Sequence, residues 1–207
     1  MTGCQLTTVL LDFGGVIAEE GFDRGITSLG ASLGRDPHDL WQAGLSAVWD
    51  SGYVLGRGSE ADFWALFKQR CRVDGDERAW RENILAGFAV RPWMLTLADS
   101  LRGLGLTTAI LSDQTDWLDL LDARQHFYRH FDAVFNSYTH GMSKHEDAFF
   151  LLALEKLGAR PETTLFVDDN SGNVERAKAL GMHAVLYETR QGLEQALQTL
   201  CPALAGE

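Results

Sequence analysis

The chain has 207 residues, 45% of them apolar, and a formal net charge of -11. That length suffices for one well-buried domain, alone or with an inserted subdomain, and the charge argues against nucleic acid or an anionic membrane surface as a partner, because phosphate backbones are bound through basic patches. No stretch approaches the roughly 20 apolar residues of a membrane span, the N-terminus lacks the basic-then-apolar order of a secretory signal, and the cysteines (Cys4, Cys71 and Cys201), odd in number and far apart, point to a reduced, cytoplasmic setting.

The first apolar run, Leu6 to Leu11, is rich in β-formers and stops at Asp12-Phe13-Gly14-Gly15. It reads as a buried strand entering a tight turn. From about residue 18 to 90 there is no convincing strand. Ser59 and Asp62 are spaced to cap a helix carrying Phe63, Trp64 and Phe67, and Trp41, Trp49 and Trp80 fall in the same stretch. This predicts an all-helical insertion after the first strand, its aromatic residues mostly core. Pro92 suits a first helical position, with Leu95, Ala98, Leu101 and Leu104 following at helical spacing. A second strong strand, Leu106 to Leu111, ends in Ser112-Asp113. Ala133 to Phe135 is a weaker strand. Ser143 and Glu146 are spaced as a capping box, predicting a helix that starts there, holds Lys144 at its start, and presents Phe150, Ala153, Leu154 and Leu157 on one face. A third strong strand, Thr164 to Val167, ends in Asp168-Asp169. Val174, Ala177 and Leu180 mark a helix, His183 to Tyr187 a weak strand, and Leu193, Ala196, Leu197 and Leu200 the last helix.

Strands alternating with helices predict an α/β fold: a three-layer, Rossmann-like parallel sheet covered on both faces. The core comprises residues 1–17 and 91–207, and the helical cap residues 18–90. The strand ending in Asp12 should be central, between those ending in Ser112 and Asp168.

In open α/β sheets the ligand crevice lies at the C-terminal strand ends. Asp12, Ser112, Asp168 and Asp169 would meet there, and Lys144 would add a cation. The set suits phosphoryl transfer. A carboxylate can attack phosphorus, but approach to a dianion needs charge neutralisation, which Mg²⁺ bound by Asp12 and Asp169 would supply. Ser112 can hydrogen-bond a phosphoryl oxygen, Lys144 offsets further charge, and Gly14 and Gly15 let the backbone come close to metal and phosphate.

Asp12-Phe13-Gly14-Gly15-Val16, Leu111-Ser112, Lys144 and Phe166-Val167-Asp168-Asp169-Asn170 resemble, in order, the four motifs of the haloacid dehalogenase-like superfamily. The resemblance covers the whole chain. Phe22-Asp23-Arg24, Gly58-Ser59 and Asp168 to Asn173 look most like the branch that includes sugar-1-phosphate phosphatases. It implies Asp12 as nucleophile and Lys144 as its catalytic cation. It implies a phosphate site at Ser112, Asp113, Lys144 and Gly15. Mg²⁺ would be held by Asp12, the Gly14 carbonyl and Asp169, with Asp168 or Asn173 in support. The expected substrate is a small phosphate ester, sugar phosphates being one option.

Three positions depart from the family pattern. Gly14 stands where most family phosphatases carry the Asp that protonates the leaving group. Asp113 replaces a usual Asn, and His145 a usual Pro. Glu19, Glu20, Asp23 and Arg24, where the chain leaves the core, either enter the site or form a solvated linker. Two rival readings follow: a metal-free dehalogenase, whose leaving halide needs no proton, and a non-catalytic phosphate-binding scaffold. A kinase is excluded because eleven residues before Asp12-Phe13-Gly14 leave no room for an ATP-binding lobe. A phosphoacceptor receiver is a poor fit, because its acidic pair should precede the acceptor strand. The histidines show no ligand spacing.

Overall fold

The computed structural model describes residues 4–203. Five parallel strands form one sheet in the order β3-β2-β1-β4-β5. They are β1 (Thr8–Leu11), β2 (Thr107–Ser112), β3 (Ala133–Asn136), β4 (Thr164–Asp168) and β5 (His183–Leu186). β1 is central, as the sequence predicts, with Leu10 opposite both Ala109 and Phe166. Leu10, Ala109 and Phe166 belong to one apolar cluster, whereas Val9, Leu11, Ile110, Leu165 and Val167 belong to the other. Both faces of the sheet are therefore buried, which is why these strands read as unbroken apolar runs rather than alternating ones.

Between β1 and the helix that leads into β2 lie four α-helices: α1 (Gly21–Leu33), α2 (Pro37–Asp50), α3 (Glu60–Cys71) and α4 (Glu77–Gly87). The Ser59–Asp62 capping box forms: the Asp62 N–H donates to Ser59 Oγ, and the Ser59 N–H donates to the Asp62 carboxylate at 2.8 Å. Trp64 and Trp80 pack inside these helices with Phe63 and Phe67. The chain leaves and re-enters the sheet layer side by side. The Glu19 N–H donates to the Ala89 carbonyl and the Arg91 N–H to the Ile17 carbonyl, each at 2.9 Å. Arg91 ties this crossing together, donating to the Gly15 and Val16 carbonyls and pairing with Glu19 at 3.1 Å.

The helices of the sheet layer are α5 (Pro92–Gly103), α6 (Trp117–Gln125), α7 (Ser137–His140), α8 (Asp147–Leu157), α9 (Ser171–Ala179) and α10 (Arg190–Leu200). Pro92 opens α5 as expected. Leu104, placed by its spacing in the same helix, lies just beyond it and is exposed. The sequence reading of the Ser143 region is corrected. α8 begins at Asp147 with no side-chain cap. Ser143 Oγ instead accepts the His145 N–H, making a short turn, and Lys144 sits in that turn rather than in a helix. Phe149, which the predicted face left out, is fully buried, and Leu157 is only partly so.

The cysteine reading is also corrected. Cys4 and Cys201 form a disulfide across 197 residues, and Cys71 is free. Distance along the chain hid the pair: the segment before β1 runs beside the end of α10, where the Gln5 N–H donates to the Leu200 carbonyl. Among the described residues no helix is long and apolar enough to cross a membrane.

Candidate active site

Parallel strands bring their C-terminal ends to one edge, and the Asp12 N–H, donating to the Val167 carbonyl, locks the first turn to β4. Asp12 is buried there. The Phe13 N–H and the Ser112 hydroxyl both donate to its Oδ1, at 2.7 and 2.6 Å. Lys144 Nζ lies 2.8 Å from Asp12 Oδ2 and 2.7 Å from Asp168 Oδ2, with the lysine only 2% exposed. Asp168 is held from both sides: it also accepts the Asn170 N–H at 2.7 Å and the Asn173 amide at 3.1 Å. It is held as a fixed counter-charge that aims Lys144 at Asp12.

Asp113 acts on the same lysine from the other side. Its carboxylate accepts the Lys144 backbone N–H at 3.0 Å, so it holds the turn that carries the cation. The Asp113 carboxylate is thereby spent on backbone. Gly15 has a positive φ of 76°, and a side chain there would collide with the Asp169 carboxylate. The glycine thus admits Asp169 to the turn after Asp12.

Asp12, Asp168 and Asp169 each present a carboxylate oxygen, all within 4.8 Å of one another. Burial pushes the Asp12 carboxyl up to about 8; Lys144 pulls it back and Asp168 adds repulsion. Burial likewise raises Asp169, reinforced by Asp168. For Lys144 burial works against the charge, but Asp12, Asp168 and Asp113 overcome it and hold the ammonium above its usual range. One lysine does not balance these acids. A cluster of hard oxygen donors with surplus negative charge fits Mg²⁺.

Glu20, left open by the sequence, enters the site. It is the N-cap of α1, where its Oε1 accepts the Phe22 and Asp23 N–H groups at 3.1 and 3.2 Å. Its other oxygen, Oε2, lies 2.5 Å from where a Cβ on Gly14 would be. The carboxylate therefore occupies the space that a side chain at position 14 would fill. Burial raises its carboxyl, with the Asp23 N–H opposing and the Asp169 charge adding to the rise. Asp23 reaches the rim of the same cleft, whereas Glu19 is engaged by Arg91 and Arg24. The sequence named Glu20 only as one of four candidates, because its place depends on where α1 starts. The one available signal was an acid directly before a helical run.

The cleft has a volume of about 460 Å³. Its floor is the acidic strand edge and its opposite wall is α2, which contributes Trp41, Leu45, Val48 and Trp49. Trp49 stacks on His145 with ring centroids 4.8 Å apart, closing one side. The aromatic residues of residues 18–90 thus divide: Trp64 and Trp80 are core, as expected, while Trp41 and Trp49 face the cleft.

The sequence profile of haloacid dehalogenase-like hydrolases matches residues 6–181. Bifunctional epoxide hydrolase 2 of Rattus norvegicus is 31% identical over 109 residues, 49% of this chain and 19% of that protein. Drimenol cyclase drtB of Aspergillus calidoustus is 32% identical over 164 residues, 75% of this chain and 30% of that protein. The chain thus spans less than a third of either relative. A HAD family enzyme of Bacteroides thetaiotaomicron aligns with a TM-score of 0.73 at 18% identity, over 92% of this chain and 98% of that one. The same enzyme in complex with magnesium and inorganic phosphate aligns with a TM-score of 0.69 at 18% identity, over 89% and 96%. At that identity the likeness shows the fold.

Proposed function

The chain belongs to the haloacid dehalogenase-like hydrolases, and from that premise we propose that it is a Mg²⁺-dependent phosphatase of small phosphate monoesters, with residues 18–90 forming a cap over the site. The observation that carries this reading is the buried Asp12 beside Lys144 within a three-acid cluster. A phosphate complex with magnesium in a protein of the same fold supports it.

Asp12 is the nucleophile. Its carboxylate oxygen forms a bond to phosphorus as the ester P–O bond breaks, giving an aspartyl-phosphate and the alcohol. Ser112 and Lys144 already bond Asp12, and both are placed to hold phosphoryl oxygens as charge shifts onto them. Asp113 and Asp168 position Lys144. Glu20 delivers a proton to the leaving oxygen from the space beside Gly14, then takes one from the water that attacks phosphorus and frees Asp12. Asp12, Asp169 and the Gly14 carbonyl would hold Mg²⁺, with Asp168 behind them. The ion would supply charge neutralisation for the approach of carboxylate to phosphate.

Two rivals lose ground on this geometry. The acid cluster disfavours a metal-free dehalogenase, since a negative cluster needs a cation. The vacancy at Gly14, which favoured a non-catalytic scaffold, is filled by Glu20. The test is a panel of phosphate monoesters with Mg²⁺, run on wild type and Asp12→Asn. Hydrolysis that needs both Asp12 and the metal is the expected result; full activity in chelator would promote the dehalogenase.

A further inference from the structure

α2 carries more apolar surface than its packing needs. Leu40, Gly44, Ala47 and Val48 are buried, Gly44 lies against Ile26 of α1, and Val48 also borders the cleft. Trp41, Leu45, Val48 and Trp49 follow one another at helical spacing, and all four line the cleft. Leu45 is 38% exposed there. Phe22 and Val54 extend the same surface. Apolar side chains gathered in a cleft over a reactive floor are the mark of a ligand surface.

The polar inventory of that wall is as informative. From residues 18–90 the lining includes Glu20 and Asp23, with no lysine, arginine, serine, threonine, asparagine or glutamine among the described lining residues. A polyol seated against it would find few partners for its hydroxyls, and leaving them unpaired is costly. A second anionic group on the substrate would meet two carboxylates and no cation. The amide and hydroxyl groups of the cleft, on Ser112, Gln114, Thr115, Asn170 and Asn173, belong to the sheet layer, where the phosphate would sit.

We propose that the substrate is a phosphate monoester of an apolar alcohol, its hydrocarbon part lying along Trp41, Leu45, Val48 and Trp49. This rests on the phosphatase reading above and narrows it to a substrate class. It departs from the sugar phosphates that the sequence resemblance brings to mind.

The test compares esters of similar leaving-group pKa with Mg²⁺ present: hexyl and phenethyl phosphate against glycerol 3-phosphate, glucose 6-phosphate and adenosine 5′-monophosphate. The expected result is a kcat/KM advantage for the apolar esters of at least about tenfold, the lower end of what a filled apolar pocket gives, residing mainly in KM. In Leu45→Asn and Trp41→Ala the ratio of apolar to polyol ester should fall toward unity. The ratio is its own control, because misfolding lowers both rates together. Equal or better hydrolysis of the polyol esters or the nucleotide would overturn the substrate class and leave the phosphatase reading intact. Failure to hydrolyse any ester would overturn the phosphatase reading, and this proposal with it.

Discussion

At Gly14 the missing side chain and the arriving one are coupled. Because Glu20 Oε2 stands 2.5 Å from the absent Cβ, the two positions offer one carboxylate between them. Glu20→Gln keeps an acceptor for the α1 cap but removes the proton. In kcat/KM, which reports formation of the aspartyl-phosphate, esters of ordinary alcohols should then slow by about 10²-fold or more, the usual worth of a positioned acid, while aryl phosphates, whose leaving groups need no proton, should change little. By contrast, kcat should fall for every ester, because Glu20 also activates the water of the second step. Gly14→Asp in the Glu20→Gln background should recover part of the loss; an equal loss of kcat/KM across leaving groups would rule Glu20 out as the acid. Lys144 makes a second prediction. Lys144→Ala should cut turnover by about 10²–10³-fold, as removal of an oxyanion-type donor does. It should also destabilise the fold by about 3–5 kcal/mol in urea titration, because the fully buried Asp168 loses its cation. Asp12, Ser112, Lys144, Asp168 and Asp169 were legible in the sequence because Ser112 and Asp168 end strands, Asp12 and Asp169 directly follow strands, and all fall in motif order. Glu20 was legible only as one candidate among Glu19, Glu20, Asp23 and Arg24, since its approach is set by a turn of the chain with no pattern of its own.

Helix starts show where local signals suffice. At Ser59 the capping box is complete and α3 follows directly. Ser59→Ala should cost about 1 kcal/mol, the worth of an N-cap hydroxyl, read as a lower denaturation midpoint with the rate on small esters little changed. At Ser143 the same spacing gives no helix start. There the Lys144 N–H is taken by Asp113, a residue distant in sequence, and the Ser143 hydroxyl is taken by His145. A tertiary contact outcompetes the local one, and the result is the turn that points Lys144 at Asp12. α2 makes the same point through packing. Its aromatic residues announced a buried helix, but only the sheet layer beneath shows that Trp41 and Trp49 look outward from their own bundle into the cleft.

Over the whole molecule, the strand order was readable because each strong strand ended in a polar residue and the alternation with helices left few arrangements. On the proposed reading, the acid cluster ties stability to metal. Added Mg²⁺ should raise the melting temperature, by about 2.7 kcal/mol of stabilisation at a hundredfold excess over Kd. Asp169→Asn should reduce that shift, a readout independent of turnover. No change in melting temperature with Mg²⁺ would count against the metal site. The Cys4–Cys201 bond was illegible for the opposite reason to the strands: nothing local marks two residues that meet because β1 and α10 share an end of the sheet. Its consequence is topological. With those residues joined, the chain from Cys4 to Cys201 is a closed ring, so a protease that nicks any exposed loop between them opens the ring without separating pieces. Such a nicked molecule should migrate as one species on a non-reducing gel and as two after thiol treatment.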